Sequence, residues 1–454
     1  MKVCKFGGTS LADAGQVTKV CRIVRADPDR RIVVVSAPGK RPGHKEDVKV
    51  TDLLIACAKR RLAGESADAE LKAILERFAA IQRDLGLAAA VTATISADLR
   101  ARLASDAGHK ERFIDTMKAA GEDNCAKLVA AELRREGVDA HYLSPREGGL
   151  LLTDEYGNAQ LLPESYGNLA RALRAAPGIT VFPGFFGYTR GGEVVTFPRG
   201  GSDITGSILA AAVEADVYEN FTDVDSVFAV DPRIAPAVAP IPELTYREMR
   251  ELSYAGFGVL HDEAIIPVVQ AGIPICIRNT NRPDLPGTRI TAEREVRHGQ
   301  VVGIAGAGDF CTIFVSKYLM NREIGFGRRF LQILEEEGLS FEHMPSGVDS
   351  ISIILREGDL DAPTEERVVN RVRTELGANS IYVERGLALI MVVGEGMRHT
   401  VGHARRATGA LAKADVNIEM INQGASEITL MFGVKGADRE KAVRALYEEF
   451  FKAR

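Results

Sequence analysis

The chain has little of what marks a disulfide-framed, membrane or nucleic-acid protein. Its 454 residues include only six cysteines, Cys4, Cys21, Cys57, Cys125, Cys276 and Cys311, and no two form a CxxC pair. They read as buried thiols in a reducing compartment, not as a disulfide frame or zinc site. No uninterrupted apolar run is long enough to span a bilayer. The segment from Lys2 to Phe6 enters a strand-like pattern directly, without an apolar signal core, so a cytoplasmic location is expected. A net charge of −5 gives no general affinity for nucleic acid or anionic membranes. No Walker A sequence and no protein-kinase motif set occurs, which excludes the better-known ATP folds. There is no His or Cys constellation suited to nucleophilic catalysis, and His261 reads as structural.

What remains is an ordinary globular balance of 46% hydrophobic and 26% charged residues, long enough for several domains with sizeable cores. The first half alternates strand-like runs, such as Val3–Phe6, Arg31–Ser36, Asp139–Leu143, Ile179–Phe182, Glu193–Phe197, Asp216–Asn220 and Ile273–Arg278, with helical patterns. Helical stretches are expected at Gln16–Arg25, through most of 51–136, and at Ser202–Val213, Tyr246–Tyr254 and Glu263–Gln270. Such alternation predicts an α/β layer fold with a largely parallel sheet. Asn281–Gln300, opening with NRPDLPGT and turning charged, reads as a surface linker. Beyond it the pattern repeats. A strand, helix and strand at Cys311–Val315, Gly325–Glu337 and Ser350–Leu355 are echoed at Leu387–Val393, Gly402–Ala414 and Glu427–Val434. The phrases EGLSFE at 337–342 and ADVNIE at 414–419 occupy equivalent places. This is a duplicated small βαββαβ-like unit, without catalytic constellations, suited to sensing or assembly.

Two glycine turns carry the chemistry. Lys5-Phe6-Gly7-Gly8-Thr9-Ser10 and Arg199-Gly200-Gly201-Ser202-Asp203 each look like a strand entering a turn and then a helix. There small residues let backbone N–H groups close on an oxyanion beside a helix N-terminus. Lys5 is suited to clamp a phosphate and Arg199 to fork onto a carboxylate. Ser202 or Asp203 also suits a helix N-cap. Asp203 beside an anion site needs a cation, and Lys5 is the expected partner. Taken alone, Glu122 in Gly121-Glu122-Asp123-Asn124, read as lying between helical segments, is a solvated helix-start carboxylate. Phe221-Thr222-Asp223-Val224-Asp225-Ser226-Val227-Phe228 with Asp231-Pro232-Arg233 reads as a turn-rich polar loop or as a nucleotide pocket. The basic loop from Gly39 to Lys45 is either a solvated loop or a lid over ATP.

These motifs, in this order and over nearly the whole chain, resemble the aspartate kinase branch of the amino-acid kinase family. MNREIGFGRR at 320–329 and VNIEMINQG at 416–424 look most like its lysine-sensitive, monofunctional bacterial type. The resemblance implies an amino-acid kinase fold at 1–290, a mainly parallel sheet sandwiched by helices. Two α+β ferredoxin-like ACT domains would follow at 300–454, the first, about 311–380, inserted into the second, about 301–310 plus 381–454. No fused homoserine dehydrogenase is expected. The implied reaction phosphorylates the β-carboxylate of L-aspartate with ATP and Mg²⁺. By the same resemblance Lys5, Asp203, Gly7 and Gly8 are catalytic. Glu122, Arg199, Ser36, Thr51, Gly200 and Ser202 bind aspartate. Lys5, Gly7, Gly8, Ser10, Thr222, Asp223, Phe228 and Arg233 bind ATP, with no metal site among the side chains. Met320, Gly325, Phe326, Ser340, Phe341, Glu342 and Ser346 match the positions that hold lysine between paired ACT units of two chains, Glu342 facing its ε-ammonium. A homo-oligomer, dimeric through the ACT units or tetrameric, is therefore expected. The chain departs from the family pattern at Gly258, where a lysine is common, at Phe228, often Tyr, and at Ala119, the first position of a Ser-x-Gly-Glu pattern. Competing readings are another amino-acid kinase, such as a glutamate kinase, or a catalytically impaired lysine sensor that keeps the fold.

Overall fold

A computed structural model describes residues 1–452 apart from positions 45, 236, 259, 261 and 262. The described residues cluster into two compact units. Unit 1 comprises Met1–Val227, Pro240–Tyr246 and Gly258–Arg294; unit 2 comprises Phe228–Ala239, Arg247–Phe257 and Glu295–Arg454.

The strands of unit 1 are β1 (Lys2–Phe6), β2 (Arg30–Val35), β3 (Ala140–Tyr142), β4 (Ile179–Pro183), β5 (Phe186–Tyr188), β6 (Val194–Thr196), β7 (Val217–Thr222), β8 (Glu243–Thr245), β9 (Ile275–Asn279) and β10 (Thr288–Thr291). Its helices are α1 (Ala14–Arg25), α2 (Val50–Leu62), α3 (Asp68–Leu85), α4 (Ala89–Leu103), α5 (Lys110–Arg135), α6 (Pro145–Gly148), α7 (Glu164–Ala175) and α8 (Gly201–Val213). Then come α9 (Tyr246–Tyr254), which lies mostly in unit 2, and α10 (Ile266–Gln270) of unit 1. One sheet runs in the order β3-β4-β2-β1-β7-β9-β10-β8, parallel throughout except where β10 meets β9.

Strand periodicity sends alternate residues to opposite faces. Cys4 and Phe6 of β1 join Val33, Val35 and Phe221 in a core built with α1 to α5. Phe6 and Phe221 stack with ring centroids 4.8 Å apart. The intervening Lys5 faces α8. Below the site, Glu219 is buried and pinned by Arg30 (Nε–Oε2 2.6 Å) and Arg278 (3.0 Å). A buried carboxylate is tolerated only with such partners.

The strand expected at Glu193–Phe197 is present as β6, and it pairs with β5 in a two-stranded hairpin outside the main sheet. One expectation is corrected here. The stretch 281–300 is not wholly a linker. Thr288–Thr291 forms β10, pairing with β9 and β8 and burying Thr288 and Ile290 on one face. Four residues flanked by turn formers are too few for periodicity to reveal.

Unit 2 holds β11 (Gly303–Ser316), α11 (Phe326–Glu336), β12 (Ser350–Arg356), α12 (Ala362–Glu375), β13 (Ser380–Val393), α13 (His403–Lys413), β14 (Met420–Asn422), β15 (Thr429–Lys435) and α14 (Arg439–Tyr447). They form one antiparallel sheet, β12-β11-β13-β15-β14. The two long strands each serve both repeats. Phe310–Ser316 pairs with β12 and with the first half of β13, whereas Gly303–Ala307 pairs with Leu389–Val393. The register shifts between Ala307 and Phe310, where Asp309 has φ 65°. The duplication is visible in the helix ends: Leu339 N–H donates to Leu334 and Val416 N–H to Leu411. Glu342 and Glu419 then open equivalent returns, bonding through their amides to Ile354 and Gly433.

Candidate active site

The two glycine turns converge at the ends of β1 and β7. Lys5, 7% exposed, lies beside Asn220 in the parallel register of those strands. Its ammonium sits 2.5 Å from Asp203 Oδ1 on the first turn of α8. The expected Lys5–Asp203 pair is therefore present. Gly200, with φ 84°, is the N-cap of α8, and neither Ser202 nor Asp203 caps it with a side chain. That corrects the capping alternative: a left-handed turn, which glycine adopts without strain, starts the helix one residue earlier. The first-turn amides of Gly201 and Ser202 are thus spared side-chain capping.

After β1 the chain turns tightly. Gly7 N–H donates to Phe221 O at 3.0 Å, and Ser10 Oγ meets Thr280 Oγ1 at 2.7 Å in a buried pair. Gly39 N–H donates to Gly8 O at 2.8 Å. A Cβ on Gly8 would stand 2.9 Å from the Ala37 carbonyl, and one on Gly39 2.6 Å from the Gly8 carbonyl carbon. Two backbones touch here with no room for side chains, which fixes the floor of the site. Beyond Gly39, the buried Arg77 of α3 donates to Gly39 O (3.0 Å) and Asp47 (2.5 Å), and Asp47 also holds Arg41 (2.8 Å). The basic loop is anchored at both ends, so Arg41 is not a free cation. Lys45 and His261 lie outside the described residues.

Glu122 differs most from its reading as a solvated helix-start acid. It lies within the unbroken 26-residue α5, is 5% exposed, and its Oε2 has no hydrogen-bond partner. The helix comes this close because Gly121 has no side chain: a Cβ there would stand 2.7 Å from Ala37 Cβ. Burial pushes the Glu122 carboxyl up to about 8, partly offset by a hydrogen bond from the Ala37 backbone. A cationic group arriving at Oε2 would restore its charge. Ser36 is half-buried, with its N–H on Phe6 O, and Thr51 stands in the first turn of α2. Arg199 is exposed and has no ion-pair or hydrogen-bond partner among the described residues.

Thr222 ends β7, and its hydroxyl donates to the Asp223 carboxylate at 3.3 Å. Phe228 and Arg233 fall in unit 2, where Arg233 forks onto Asp231 at 2.6 and 3.0 Å. Among the effector positions, Met320 and Phe326 are buried, Ser340, Phe341 and Ser346 are exposed, and Gly325 is the left-handed N-cap of α11. Glu342 is not turned out to await a ligand. Arg356 Nε (2.9 Å) and Tyr254 OH (2.5 Å) occupy its two oxygens. Asn220 is the residue that sequence reasoning missed. A polar side chain within a β-strand was the available signal. The described residues contain no cluster of three or more His, Cys, Asp or Glu able to hold a metal, and no helix long and apolar enough to cross a membrane.

A lysine–carboxylate pair flanked by two glycine turns, at the carboxyl ends of the central strands of a mainly parallel sheet, suits phosphoryl transfer, and the fold is that of the amino acid kinase class. That family's model matches residues 1–279, an ACT domain model matches 390–450, and the chain belongs to the amino acid kinase family. Within it the relatives are aspartokinases. Aspartokinase 3 of Bacillus subtilis is 57% identical over 451 residues, covering 99% of both chains. The crystal structure of Clostridium acetobutylicum aspartate kinase superposes with a TM-score of 0.87 at 38% identity, covering 99% of this chain and 100% of that one. Escherichia coli aspartokinase III, solved with aspartate and ADP, gives 0.80 at 27% identity over 99% of this chain and 100% of that one. The same enzyme with lysine and aspartate gives 0.75 at 26%, over 99% of each.

The buried acid makes a testable claim about pH. The folded chain holds the Glu122 proton up to about pH 8, whereas the unfolded chain releases it near the ordinary carboxylate value. Ionising it in place is unfavourable, so stability is lost as pH rises through this window. Without ligands, Glu122→Gln gains stability relative to the parent by about 3 kcal/mol between pH 6 and pH 8.5. Parallel melting curves across that range, with no widening gap, contradict the buried-acid assignment.

Proposed function

We propose that the protein transfers the γ-phosphoryl group of MgATP to the β-carboxylate of L-aspartate, giving 4-phospho-L-aspartate, and that L-lysine inhibits it through the ACT region. The observation that carries the reading is the buried Lys5–Asp203 pair between the two glycine turns. It stands in a chain of aspartokinase relatives.

The acceptor carboxylate, with an ordinary value near 4, is already ionised at neutral pH, so no general base is required. The barrier is repulsion between a carboxylate and a polyphosphate. A fixed ammonium and oriented backbone N–H donors lower it by position and charge. In this reading Lys5 neutralises the transferring phosphoryl group, Asp203 orders Lys5, and Gly7, Gly8, Gly200 and Gly201 admit the anions to backbone N–H groups. Arg199 forks onto the α-carboxylate of aspartate. Glu122, short of one partner, receives the α-ammonium, aided by Ser36, Thr51 and Ser202. Magnesium enters with the nucleotide. Ser10, Thr222, Asp223, Phe228 and Arg233 are assigned to ATP by resemblance alone.

For the regulatory half, the proposed ligand is a lysine whose ammonium displaces Arg356 or Tyr254 from Glu342. The proposed arrangement is a first ACT unit of about 311–380 inserted into a second, paired with that of another copy. Supporting the pairing, α11 borders an open groove lined by Leu331 and Met344, and Ile324 nearby is 96% exposed.

The direct test is hydroxylamine trapping of aspartyl phosphate from MgATP with aspartate or glutamate, with and without lysine. Product from aspartate alone, suppressed by lysine, is expected; turnover of glutamate but not aspartate overturns the substrate. Arg199→Ala is expected to raise KM for aspartate at least tenfold with KM for ATP changed less than threefold, on the order of one lost charged hydrogen-bond pair. Equal changes in both remove Arg199 from the substrate site. Glu342→Ala is expected to keep activity and lose lysine inhibition; unchanged inhibition removes Glu342 from the effector site.

A further inference from the structure

Asn220 stands in the middle of the phosphoryl-transfer site with no role assigned to it. It is 2% exposed, on the central strand β7. Its Nδ2 donates to Asp203 Oδ1 at 2.7 Å, and its Oδ1 accepts a longer bond from Lys5 Nζ at 3.5 Å. The orientation of the amide follows from its neighbours: a carboxylate only accepts and an ammonium only donates. Two residues earlier on the same strand face, Tyr218 OH donates to the backbone carbonyl of Asp203 at 3.2 Å. One strand therefore holds Asp203 twice, by its main chain and by its side chain. The alternate residues Glu219 and Phe221 serve the opposite face, in the Arg30 pair and the Phe6 stack.

We propose that Asn220 is a positioning residue for phosphoryl transfer, fixing the Asp203 carboxylate and, with it, the direction in which Lys5 presents its remaining N–H. This rests on the reading of Lys5 given above. A lysine ammonium has three donors on a flexible four-carbon stem. Asp203 and Asn220 take two, and the third is left for a phosphoryl oxygen. The carboxamide meets both neighbours at once, donating through Nδ2 and accepting through Oδ1. A carboxylate at 220 would repel Asp203, and an apolar side chain would leave Asp203 and Lys5 each one contact short. Without Asn220 the pair persists but swings, and a mispositioned cation lowers the rate of transfer more than it lowers binding.

The test uses Asn220→Leu, close in volume and unable to hydrogen-bond, in the full-length protein. Two quantities are read: kcat with KM for aspartate and ATP, and the rate at which formaldehyde and borane dimethylate Lys5 in the unliganded protein, by peptide mass spectrometry. The expected result is a fall in kcat of about 10- to 100-fold, the scale of one hydrogen bond to a charged group. Both KM values are expected to stay within threefold. Lys5 should be labelled several-fold faster, with the exposed Lys72 unchanged. A wild-type kcat, or wild-type labelling of Lys5, overturns the proposal; a lowered kcat with unchanged Lys5 labelling means that Asn220 only supports the strand. If the leucine variant does not fold, Asn220→Ala, smaller than the native residue and equally unable to hydrogen-bond through its side chain, reports the same two quantities. Lys5→Ala run alongside separates the two levels: undiminished kcat in that variant would remove the reading of Lys5 itself.

Discussion

An ammonium withdrawn from water needs a fixed counter-charge, and that need organises the catalytic unit. Lys5 is 7% exposed, and its partner Asp203 comes from a helix some two hundred positions away in the chain. The pairing requires β1 and β7 to be neighbours at the centre of the sheet, which parallel crossovers supply. It requires α8 to start at the strand ends, which the left-handed Gly200 permits. It also requires the turn after β1 to lie flat against 36–39, which the contact between Gly8 and Gly39 permits. A buried ammonium is tolerated with such a counter-charge, and in the proposed reaction the pair stands where a polyphosphate is met.

The rest of the site follows the same logic with opposite sign. Glu122 is a buried acid without a cation among the described residues, and burial pushes its carboxyl up to about 8. In the proposed reaction the α-ammonium of the substrate makes it charged, so the substrate completes an ion pair that the free protein leaves unmade. Arg199 is exposed and unpartnered among the described residues, so gripping the carboxylate proposed for it would cost little desolvation. In unit 2 the arrangement is reversed: Glu342 already has Arg356 and Tyr254, so an incoming cation must compete with two existing bonds. Competition of that kind is how a ligand shifts a conformational balance, because it binds one arrangement better than the other.

The alternation of strands and helices, the parallel sheet and the duplicated C-terminal repeat were legible in the sequence because hydrophobic periodicity survives there over whole elements. The Lys5–Asp203 pair was legible because two charged residues beside glycine turns have few other ways to be buried. Glu122 was misjudged because Gly121 looked like a helix break; in fact the glycine lets α5 approach Ala37 and so buries its neighbour. Asn220 went unnoticed because, among the polar residues of YENFT, it reads as the end of a strand, and its register with Lys5 is a tertiary fact. Strand β10 was hidden among turn formers. The partners of Glu342 were out of reach too, since Tyr254 lies 88 positions earlier in the chain.

The measurement that bears most directly on the Lys5–Asp203 pair is the rate of aspartyl phosphate formation by Lys5→Ala beside the parent protein, at saturating aspartate and MgATP. If the paired ammonium carries the neutralisation of the transferring group, kcat falls by about three orders of magnitude, the scale of losing an electrostatic stabiliser of the transition state. The variant should still bind aspartate. A variant that turns over within tenfold of the parent would mean that the charge essential to transfer comes from elsewhere, and that the pair is only part of the scaffold.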